Sequence, residues 1–342
     1  MSKNATDAVS QWFLDGEALG EYIGIRFGRV APGRPEPEWI FLRHAEVDGI
    51  GGLAEILRRR GAQVDRLLQL KHPAPPSWLP LLGALPKYLT PRRRVEWTPL
   101  EQGPALGGSI AQPPPAVAWH VFDEATTTQI RRVCRKASVT VNSFLLKHLT
   151  KAIRPYLADQ SSVVPWMVPV NLRGKVVRER DTANFSSYVG VQVRSYETVR
   201  DVHQNIYAAL ARREHWANWY AYRLGRLLGS PGRKFLITRQ WATSQWYLGA
   251  FSNLGDWDFE KTIRQNDCLG GWLFAPPALS FQQVGAGCVT FQNRLSLTIH
   301  VHPHLTTNSA VPRAWVANWV REIEMDLVSL LEEPLAIPRF AA

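Results

Sequence analysis

The sequence predicts a mixed fold of the α/β or α+β class, because strand-like and helix-like segments alternate along it without an internal repeat. Short apolar runs bounded by glycine and proline are typical of buried strands, whereas longer stretches with apolar residues three and four positions apart indicate helices. The 342 residues are 45% hydrophobic and 20% charged, a composition that supports a substantial core in one large or two ordinary domains.

The first part of the chain combines two predicted strands, a helix and a proline-rich segment. The first strand covers 20–29, and the apolar run at 39–42 forms the second after a Pro/Gly turn at 31–35. The glycines that follow from Gly49 predict a sharp turn into a helix. Residues 71–116 are rich in proline and arginine, which favours a crossing linker or long loop over a packed element.

The second part of the chain is more regular. By residue range we expect, in order, strand 117–122, helix 123–136, a helix from 139 to about 155, strands 163–172 and 185–193, helices 198–228 and 231–247, strands 248–253, 271–275, 279–284 and 288–302, and helix 313–331. We therefore divide the chain into an N-terminal part, 1–116, and a C-terminal part, 117–342.

The net charge of +11 indicates either a solvated arginine-rich surface or attraction for an anionic partner. Basic residues cluster at 58–60, 92–94 and 212–213 without a known nucleic-acid-binding module. The anionic partners that this charge suits are phosphorylated small molecules, acidic proteins and anionic lipid, with nucleic acid ranked last.

Three scattered cysteines, Cys134, Cys268 and Cys288, suit neither a disulfide framework nor a zinc site. The sequence has no apolar run long enough for a membrane span and no signal-peptide core at its start. We expect a cytoplasmic protein, with peripheral attachment to a membrane as the alternative.

The most informative segment is His44-x-x-x-Asp48-Gly49, directly after the predicted strand at 39–42. Strand ends project side chains into clefts while the scaffold holds them in place. Histidine titrates near neutrality, so His44 is a candidate general base. The alternative is a structural histidine whose ring is satisfied by its neighbours.

The segment resembles the His-His-x-x-x-Asp-Gly signature of the CoA-dependent acyltransferase superfamily, with Arg43 in place of the first histidine. That superfamily includes condensation domains of nonribosomal peptide synthetases, wax-ester-synthase-like enzymes and chloramphenicol acetyltransferase. Three further segments resemble it in the same order: 138–146, 167–173 ending in Asn-Leu-Arg, and 251–255 containing Ser-Asn. The resemblance covers roughly residues 20–335.

The resemblance implies a two-lobed sandwich like that of chloramphenicol acetyltransferase and transfer of an acyl group from a thioester to a hydroxyl or amine. It implies that His44 removes the proton of the acceptor, and that Asp48 points away from it and pairs with an arginine. Arg173 is the candidate partner, since a bidentate arginine–carboxylate pair fixes geometry. Gly49 suits a role in the backbone conformation of the turn better than a role in the reaction.

The Ser-Asn pair of the third segment has two readings. Ser252 and Asn253 could polarise the thioester carbonyl or orient the acceptor, or they could form a turn that satisfies its own backbone. Asn171 and Trp257 are candidate substrate-binding residues. A covalent acyl-enzyme is not expected, because the sequence has no Gly-x-Ser-x-Gly elbow and no cysteine in a nucleophile signature.

Only 43 residues precede His44, fewer than the N-terminal half of the resembled family. We therefore expect a shortened N-terminal lobe, which a partner chain or a second copy could complete. A non-catalytic protein that binds a carrier protein or a partner enzyme is the alternative to an acyltransferase. A membrane-surface enzyme of the wax-ester or diacylglycerol type is the weaker alternative.

Two other clusters could carry a different function. His300, His302 and His304 alternate along a predicted strand, yet Pro303 interrupts it and no carboxylate follows, so we predict no metal. The aromatic run at 215–223 has helical spacing typical of a core, with an acyl tunnel or a lipid contact as alternatives. No cofactor is expected beyond acyl-CoA or a phosphopantetheinyl thioester as substrate; the donor carrier, acyl chain, acceptor and oligomeric state stay open.

Overall fold

The computed structural model describes residues 8–31, 36–69, 95–103, 116–160, 163–243, 247–257 and 271–332. In chain order its helices and strands are α1 (Ala8–Glu17), β1 (Gly24–Val30), β2 (Glu38–Arg43), α2 (Gly49–Arg59), β3 (Ala116–Val121), α3 (Glu124–Lys136), α4 (Val141–Ile153), β4 (Val164–Asn171), β5 (Ser186–Val193), α5 (Val199–Ala211), α6 (Glu214–Gly225), α7 (Gly229–Thr243), β6 (Gly249–Trp257), β7 (Gly271–Ala275), β8 (Val284–Phe291), β9 (Arg294–Val301) and α8 (Ala310–Glu332). The predicted mixture of strands and helices is confirmed.

A six-stranded sheet with the order β3-β9-β8-β6-β4-β5 forms the larger layer. β6 runs parallel to both β4 and β8, whereas the other neighbours are antiparallel. α4 and α8 cover one face, and the largest core is built there around Phe144, Trp166, Phe251, Trp315 and Trp319. Two of these indoles are hydrogen-bonded as well as buried: Trp319 donates to the Leu145 carbonyl at 3.0 Å, and Trp166 donates to Thr150 Oγ1 at 2.9 Å.

A three-stranded antiparallel sheet with the order β2-β1-β7 forms the second layer. Its central strand β1 pairs with β2, its neighbour in sequence, and with β7, which follows about 240 residues later in the chain and pairs Arg26 with Ala275. α2 packs on this sheet, and Phe27, Leu53 and Phe274 lie in their common core. The small sheet therefore takes strands from both predicted parts of the chain.

Side chains of β9 tie β7 to the larger sheet. Every second residue of β9 donates a side-chain hydrogen bond to a backbone carbonyl on or just after β7. The bonds are Ser296 Oγ to the Trp272 carbonyl at 2.7 Å, Thr298 Oγ1 to the Phe274 carbonyl, and His300 Nδ1 to the Pro276 carbonyl at 3.0 Å. Because β-strand side chains alternate between faces, the three donors share one face. These hydrogen bonds hold the two sheets against each other.

The predicted strands at 279–284 and 288–302 are wrong. The chain instead forms the hairpin β8–β9, which turns at Gln292 and Asn293 with φ of 48° and 57°. Residues 279 and 282 form only an isolated bridge. Both strands of the hairpin are almost wholly buried, so no alternation of polar and apolar residues marked the turn.

The helical stretch predicted at 198–228 is confirmed as helical, but it is not one continuous helix. α5 ends at Ala211, and Arg213, with φ 59°, starts a new helix, α6. A short 3-10 helix, Arg226–Leu228, then separates α6 from α7. α1, for which no helix was predicted, packs against both α6 and α7.

Much of the predicted linker at 71–116 lies outside the described residues. Its described part, 95–103, is packed and not free: Val95 belongs to the larger core, and the ring of Trp97 stacks on Trp315 at 5.2 Å. Among the described residues, no helix combines the length and apolar character needed to cross a membrane.

Candidate active site

His44 is the first residue beyond β2, where the chain leaves the small sheet. Its backbone N–H still donates to the Ile23 carbonyl at 3.1 Å, so the residue is anchored to the sheet. The next residues turn, with Glu46 N donating to the Arg43 carbonyl at 3.0 Å, and α2 begins at Gly49. The half-buried imidazole therefore lies at a junction between a strand and a helix that fixes its backbone on both sides.

The tautomer of His44 follows from its contact with Val47. Nδ1 lies 2.9 Å from the Val47 carbonyl oxygen, which can only accept a hydrogen bond. The Asn184 amide nitrogen also lies 3.4 Å from Nδ1, but it donates to the His44 carbonyl at the much shorter distance of 2.8 Å. The shorter Val47 contact therefore decides the tautomer: Nδ1 carries the proton, and the lone pair of the neutral ring is on Nε2. This is the form in which a histidine accepts a proton.

Asn184, just before β5, fixes the segment that carries the histidine. Its amide donates to the His44 carbonyl at 2.8 Å, and its carbonyl accepts from Ser186 N at 2.9 Å and Ser186 Oγ at 2.6 Å. Asn184 is buried. Since these bonds use both ends of the amide, Asn184 joins the β2–α2 turn rigidly to the larger sheet.

α1 covers the other side of the imidazole. The ring of Phe13 stacks on His44 with centroids 4.5 Å apart, and Glu17 forms an ion pair with Arg43. Burial of the ring lowers the pKa of His44 below 6.5, against smaller opposing effects of the Val47 carbonyl and the Asp48 and Glu17 carboxylates. His44 is consequently neutral at physiological pH, as a base must be before it acts.

Asp48 and Arg173 form a buried bidentate pair, each 4% exposed. Arg173 Nη1 and Nη2 donate to the two carboxylate oxygens of Asp48, both at 2.8 Å. Gly51 N and Phe185 N donate to the same carboxylate at 2.8 Å, so Asp48 also caps α2. With both oxygens occupied in this way, the carboxylate holds α2 and β5 together and makes no hydrogen bond to His44.

The remaining donors of Arg173 are used by the surrounding loop. They reach the carbonyls of Asp181 at 2.9 Å and Ala183 at 3.0 Å and Asn171 Oδ1 at 3.1 Å, while the guanidinium lies over the Phe185 ring at 4.6 Å. A buried ion pair is stable only when such additional bonds satisfy it. The network therefore defines the position of the Asn184 segment that holds His44.

Gly49 and Gly51 are required by close packing at the start of α2. A β-carbon at Gly49 would lie 2.5 Å from Leu254 Cδ2, and one at Gly51 would lie 2.0 Å from the Thr182 carbonyl oxygen. The first turn of α2 thus touches β6 on one side and the Arg173 loop on the other. Gly49 has a packing role in this structure.

Asn171, the last residue of β4, makes its contacts within the protein. Its carbonyl accepts from Arg173 N at 3.0 Å, and its amide donates to the Leu68 carbonyl at 2.6 Å. These contacts position Arg173, and a substrate-binding role for Asn171 stays a prediction. Trp257 is buried in the core of the small sheet, where its indole donates to the Leu254 carbonyl at 3.0 Å, and its predicted substrate contact likewise stays a prediction.

Ser252 and Asn253 lie in the middle of β6. Asn253 Oδ1 accepts from Gly255 N at 2.9 Å, and the strand is irregular between Asn253 and Asp256. No hydrogen bond joins Ser252 Oγ to another of the described residues, which leaves the hydroxyl available as a donor. The structure therefore gives the Asn253 side chain a local backbone contact, whereas the Ser252 hydroxyl has no such contact within the described part of the chain.

β4 and β6 separate beside these residues. The two parallel strands pair only at Trp166 with Gly249 and at Met167 with Ala250, although β4 continues to Asn171 and β6 to Trp257. Ser252 lies just beyond the last pair on β6. Asn171 pairs with Ser186, next to the Asn184 that holds His44. Ser252 and Asn171 thus border the part of the sheet where β4 and β6 are unpaired.

The two described cysteines, Cys134 and Cys288, are buried and reduced. Burial raises the pKa of Cys134 to about 12 and that of Cys288 well above its usual range. Neither thiol ionises near neutral pH, so neither is a nucleophile. Within the described ranges, no group of three or more histidines, cysteines and carboxylates is placed to hold a metal, and His300 is instead buried against Pro276.

Sequence reasoning missed Phe13, Glu17 and Asn184. The first two lie on α1, whose apolar Val9, Trp12 and Phe13 have the spacing of a helix face and could have indicated it. Asn184 lies in a loop, and no local pattern marks an asparagine that binds a carbonyl 140 residues away.

No family model matches the chain, and no curated protein sequence matches it. Several solved structures do resemble it. The EpoB NRPS cyclization-docking bidomain from Sorangium cellulosum superposes with a TM-score of 0.55 at 10% identity, over 87% of this chain and 60% of the bidomain. The TRI3 trichothecene 15-O-acetyltransferase from Fusarium sporotrichioides gives 0.52 at 12% identity, over 96% of this chain and 76% of the acetyltransferase.

The nonribosomal peptide synthetase FmoA3 gives 0.53 at 11% identity, over 87% of this chain and 30% of that protein. At such identities the likeness concerns the fold. It confirms the predicted fold class, the mixed sandwich of condensation domains and chloramphenicol acetyltransferase.

Proposed function

We propose that the chain is an acyltransferase that moves an acyl group from a CoA or carrier-protein thioester to a hydroxyl or amine, with His44 as the general base. The observation that carries the proposal is the hydrogen bond from His44 Nδ1 to the Val47 carbonyl, which leaves the lone pair on Nε2. The lowered pKa of the ring keeps that lone pair free at neutral pH. The fold shared with an acetyltransferase supports the same reaction type.

The reaction needs no covalent acyl-enzyme. The acceptor O–H or N–H transfers its proton to Nε2 while its oxygen or nitrogen attacks the thioester carbonyl carbon. The tetrahedral intermediate collapses with cleavage of the C–S bond, and the departing thiolate takes the proton back from Nε2. The histidine ends the cycle neutral, and the high pKa of the two described cysteines agrees with direct transfer.

Ser252 is our candidate for stabilising the oxyanion of that intermediate. Its hydroxyl has no hydrogen-bond partner among the described residues and lies where β4 and β6 are unpaired, whereas Asn253 contacts its own strand. A single aimed donor lowers the barrier by about 3 kcal/mol, or roughly 100-fold in rate. Asp48 and Arg173 contribute by position alone, since neither has a free donor or acceptor directed at His44.

Thiol release tests the proposal. Acyl-CoAs and acyl-pantetheines of short, medium and long chain are offered with mixed alcohols and amines. Wild type should release free thiol only when an acceptor is present. His44→Ala should lower that rate by roughly 10²- to 10⁴-fold, the usual contribution of a general base.

His120→Ala is the matched control, because His120 is a partly buried histidine on β3, away from the site. It should release thiol at the wild-type rate. Release that survives His44→Ala would remove this histidine from the mechanism. A folded wild type that releases no thiol from any donor would contradict the activity and favour the non-catalytic alternative.

A further inference from the structure

The joint between α6 and α7 exposes a cluster of large apolar side chains. It consists of Leu224, Leu227, Leu228, Phe235 and Leu236, which we call the apolar joint. Leu227 is 82% exposed and Phe235 is 63% exposed, so these side chains project from the surface and do not line a groove. Isolated exposed leucines are ordinary, but a contiguous run of them marks a surface that contacts something else.

The same segment is purely basic. Residues 220–239 contain five arginines and lysines and no aspartate or glutamate. Arg223, Arg226 and Arg239 are exposed. Neither Arg223 nor Arg226 forms an ion pair with a described carboxylate. Arg223 and Arg226 therefore place two exposed cations beside Leu224 and Leu227 of the apolar joint, where an anionic partner can contact them.

Side chains of α1 anchor the apolar joint. The buried Arg233 donates to Asp15 at 2.6 Å, and Ser230 donates to the same carboxylate at 2.5 Å. Trp12 donates to the Tyr222 carbonyl at 3.1 Å. These contacts anchor both helices that carry the apolar residues, so the exposed side chains belong to a fixed surface.

The aromatic run just before the joint has the opposite environment. Trp216 and Trp219 are buried against Val9 and Leu172, so they form a small core between α1 and α6. These two buried tryptophans therefore cannot form the lipid contact that is an alternative for this run. The exposed surface begins further along, at Leu224.

From this combination we propose that the apolar joint docks the protein on an anionic membrane surface, with Leu227 and Phe235 inserted among the lipids and the arginines against the headgroups. An anionic lipid surface can bind projecting leucine and phenylalanine side chains that lie next to arginines. The apolar side chains enter the lipid layer without needing a matching cavity, and the arginines contact the anionic headgroups. A second copy would bring the same cations face to face, and like charges oppose such a contact. The proposal does not depend on acyl transfer.

Vesicle co-sedimentation tests the docking. The protein of 342 residues is centrifuged with phosphatidylcholine vesicles and, separately, with vesicles of phosphatidylcholine and phosphatidylglycerol. Wild type should pellet only with the anionic vesicles, and added salt should weaken the binding. Arg223→Gln/Arg226→Gln should weaken it about 30-fold, since each cation near the surface contributes about 1 kcal/mol. Leu227→Ser/Phe235→Ser should remove the part of the binding that resists salt.

Two controls match these variants in charge and in exposed apolar area. Arg132→Gln/Arg313→Gln removes two exposed arginines from α3 and α8, and Tyr196→Ser removes a side chain that is 78% exposed elsewhere. Both should pellet like wild type. The proposal is overturned if wild type stays in the supernatant, if the controls lose binding as strongly, or if sedimentation without lipid shows dimers that Leu227→Ser/Phe235→Ser dissociates.

Discussion

At the scale of single residues, the candidate base is defined by its neighbours more than by its own position. The Val47 carbonyl sets which ring nitrogen of His44 carries the proton, and Asn184 holds the backbone of the histidine. Phe13 stacks on the ring, and burial of the ring lowers its pKa. A histidine at the same strand end without these contacts would be half protonated near pH 6.5.

Phe13→Ala should raise the pKa of His44 towards 6.5, because the truncation admits water to the ring. A general base works only when neutral, so activity falls as the pH drops below its pKa. The acid limb of the pH–rate profile should therefore move to higher pH in the variant. Leu14→Ala, a change on the same helix, is the control, and an unshifted acid limb in Phe13→Ala would contradict the role of the stacked ring.

Asp48→Asn should cost roughly 3 kcal/mol of unfolding free energy, since it leaves the buried Arg173 without its counter-charge. The matched control is Asp181→Asn, which breaks an equally bidentate pair with Arg58 whose side chains are partly exposed. That change should cost less than about 1 kcal/mol. Urea unfolding measures both. If Asp48→Asn kept full stability and altered only the pH dependence of activity, the carboxylate would belong to the chemistry and not to the scaffold.

At the scale of elements, the site depends on how closely α2 approaches its neighbours. Its first turn packs glycine against β6 and against the loop that leads into β5. The N-terminus of the helix is capped by Asp48, so one side chain joins helix, strand and loop. Gly49 and Gly51, which predicted a turn in the sequence, are needed because the helix packs too closely against its neighbours for a β-carbon.

Gly51→Ala should destabilise the protein by about 1–3 kcal/mol and reduce activity, because the new methyl group would lie 2.0 Å from the Thr182 carbonyl oxygen. That oxygen is part of the backbone and can move only with the loop that holds Arg173. Gly271→Ala is the control, since its nearest neighbours would lie 3.6 Å away. Gly51→Ala should have a lower unfolding temperature and a lower rate of thiol release than Gly271→Ala. Equal values for the two variants would show that the loop moves away from the methyl group with little loss of stability.

At the scale of the whole molecule, the two sheets are joined through polar groups within an apolar interior. Three side chains of β9 donate hydrogen bonds to backbone carbonyls on or just after β7. The donors are the hydroxyls of Ser296 and Thr298 and the imidazole of His300. Burial, with the nearby Arg26 and His302, lowers the pKa of His300 to about 4, despite the opposing effect of the Pro276 carbonyl. Protonation of this histidine would therefore weaken the junction between the sheets.

Stability should fall as the pH drops from about 6.5 to about 4. In that window the unfolded chain binds a proton that folded His300 does not, so protons favour unfolding. The shift from 6.5 to about 4 corresponds to a loss of about 3 kcal/mol. His300→Asn should reduce the pH dependence of the unfolding free energy without abolishing it, because burial lowers the pKa of His302 to about 4 as well. His304→Gln, at an exposed position, should change the dependence far less. A dependence unchanged in His300→Asn would assign the acid sensitivity to other groups.

The sequence by itself determined most elements, the strand–histidine–turn–helix order around His44, and a fold class that the solved structures confirm. These follow from local patterns of apolar residues, glycines and caps, which act within a few positions of the chain. Only the tertiary structure decided that β7 completes the N-terminal sheet, that β8 and β9 form a buried hairpin, and that α1 covers the histidine. It likewise joined Asp48 to Arg173, 125 residues apart, a pair that only a family resemblance suggested. The physical reason is that such contacts are selected by packing in three dimensions, and residues far apart in the chain carry no periodic signal of the partner they will meet.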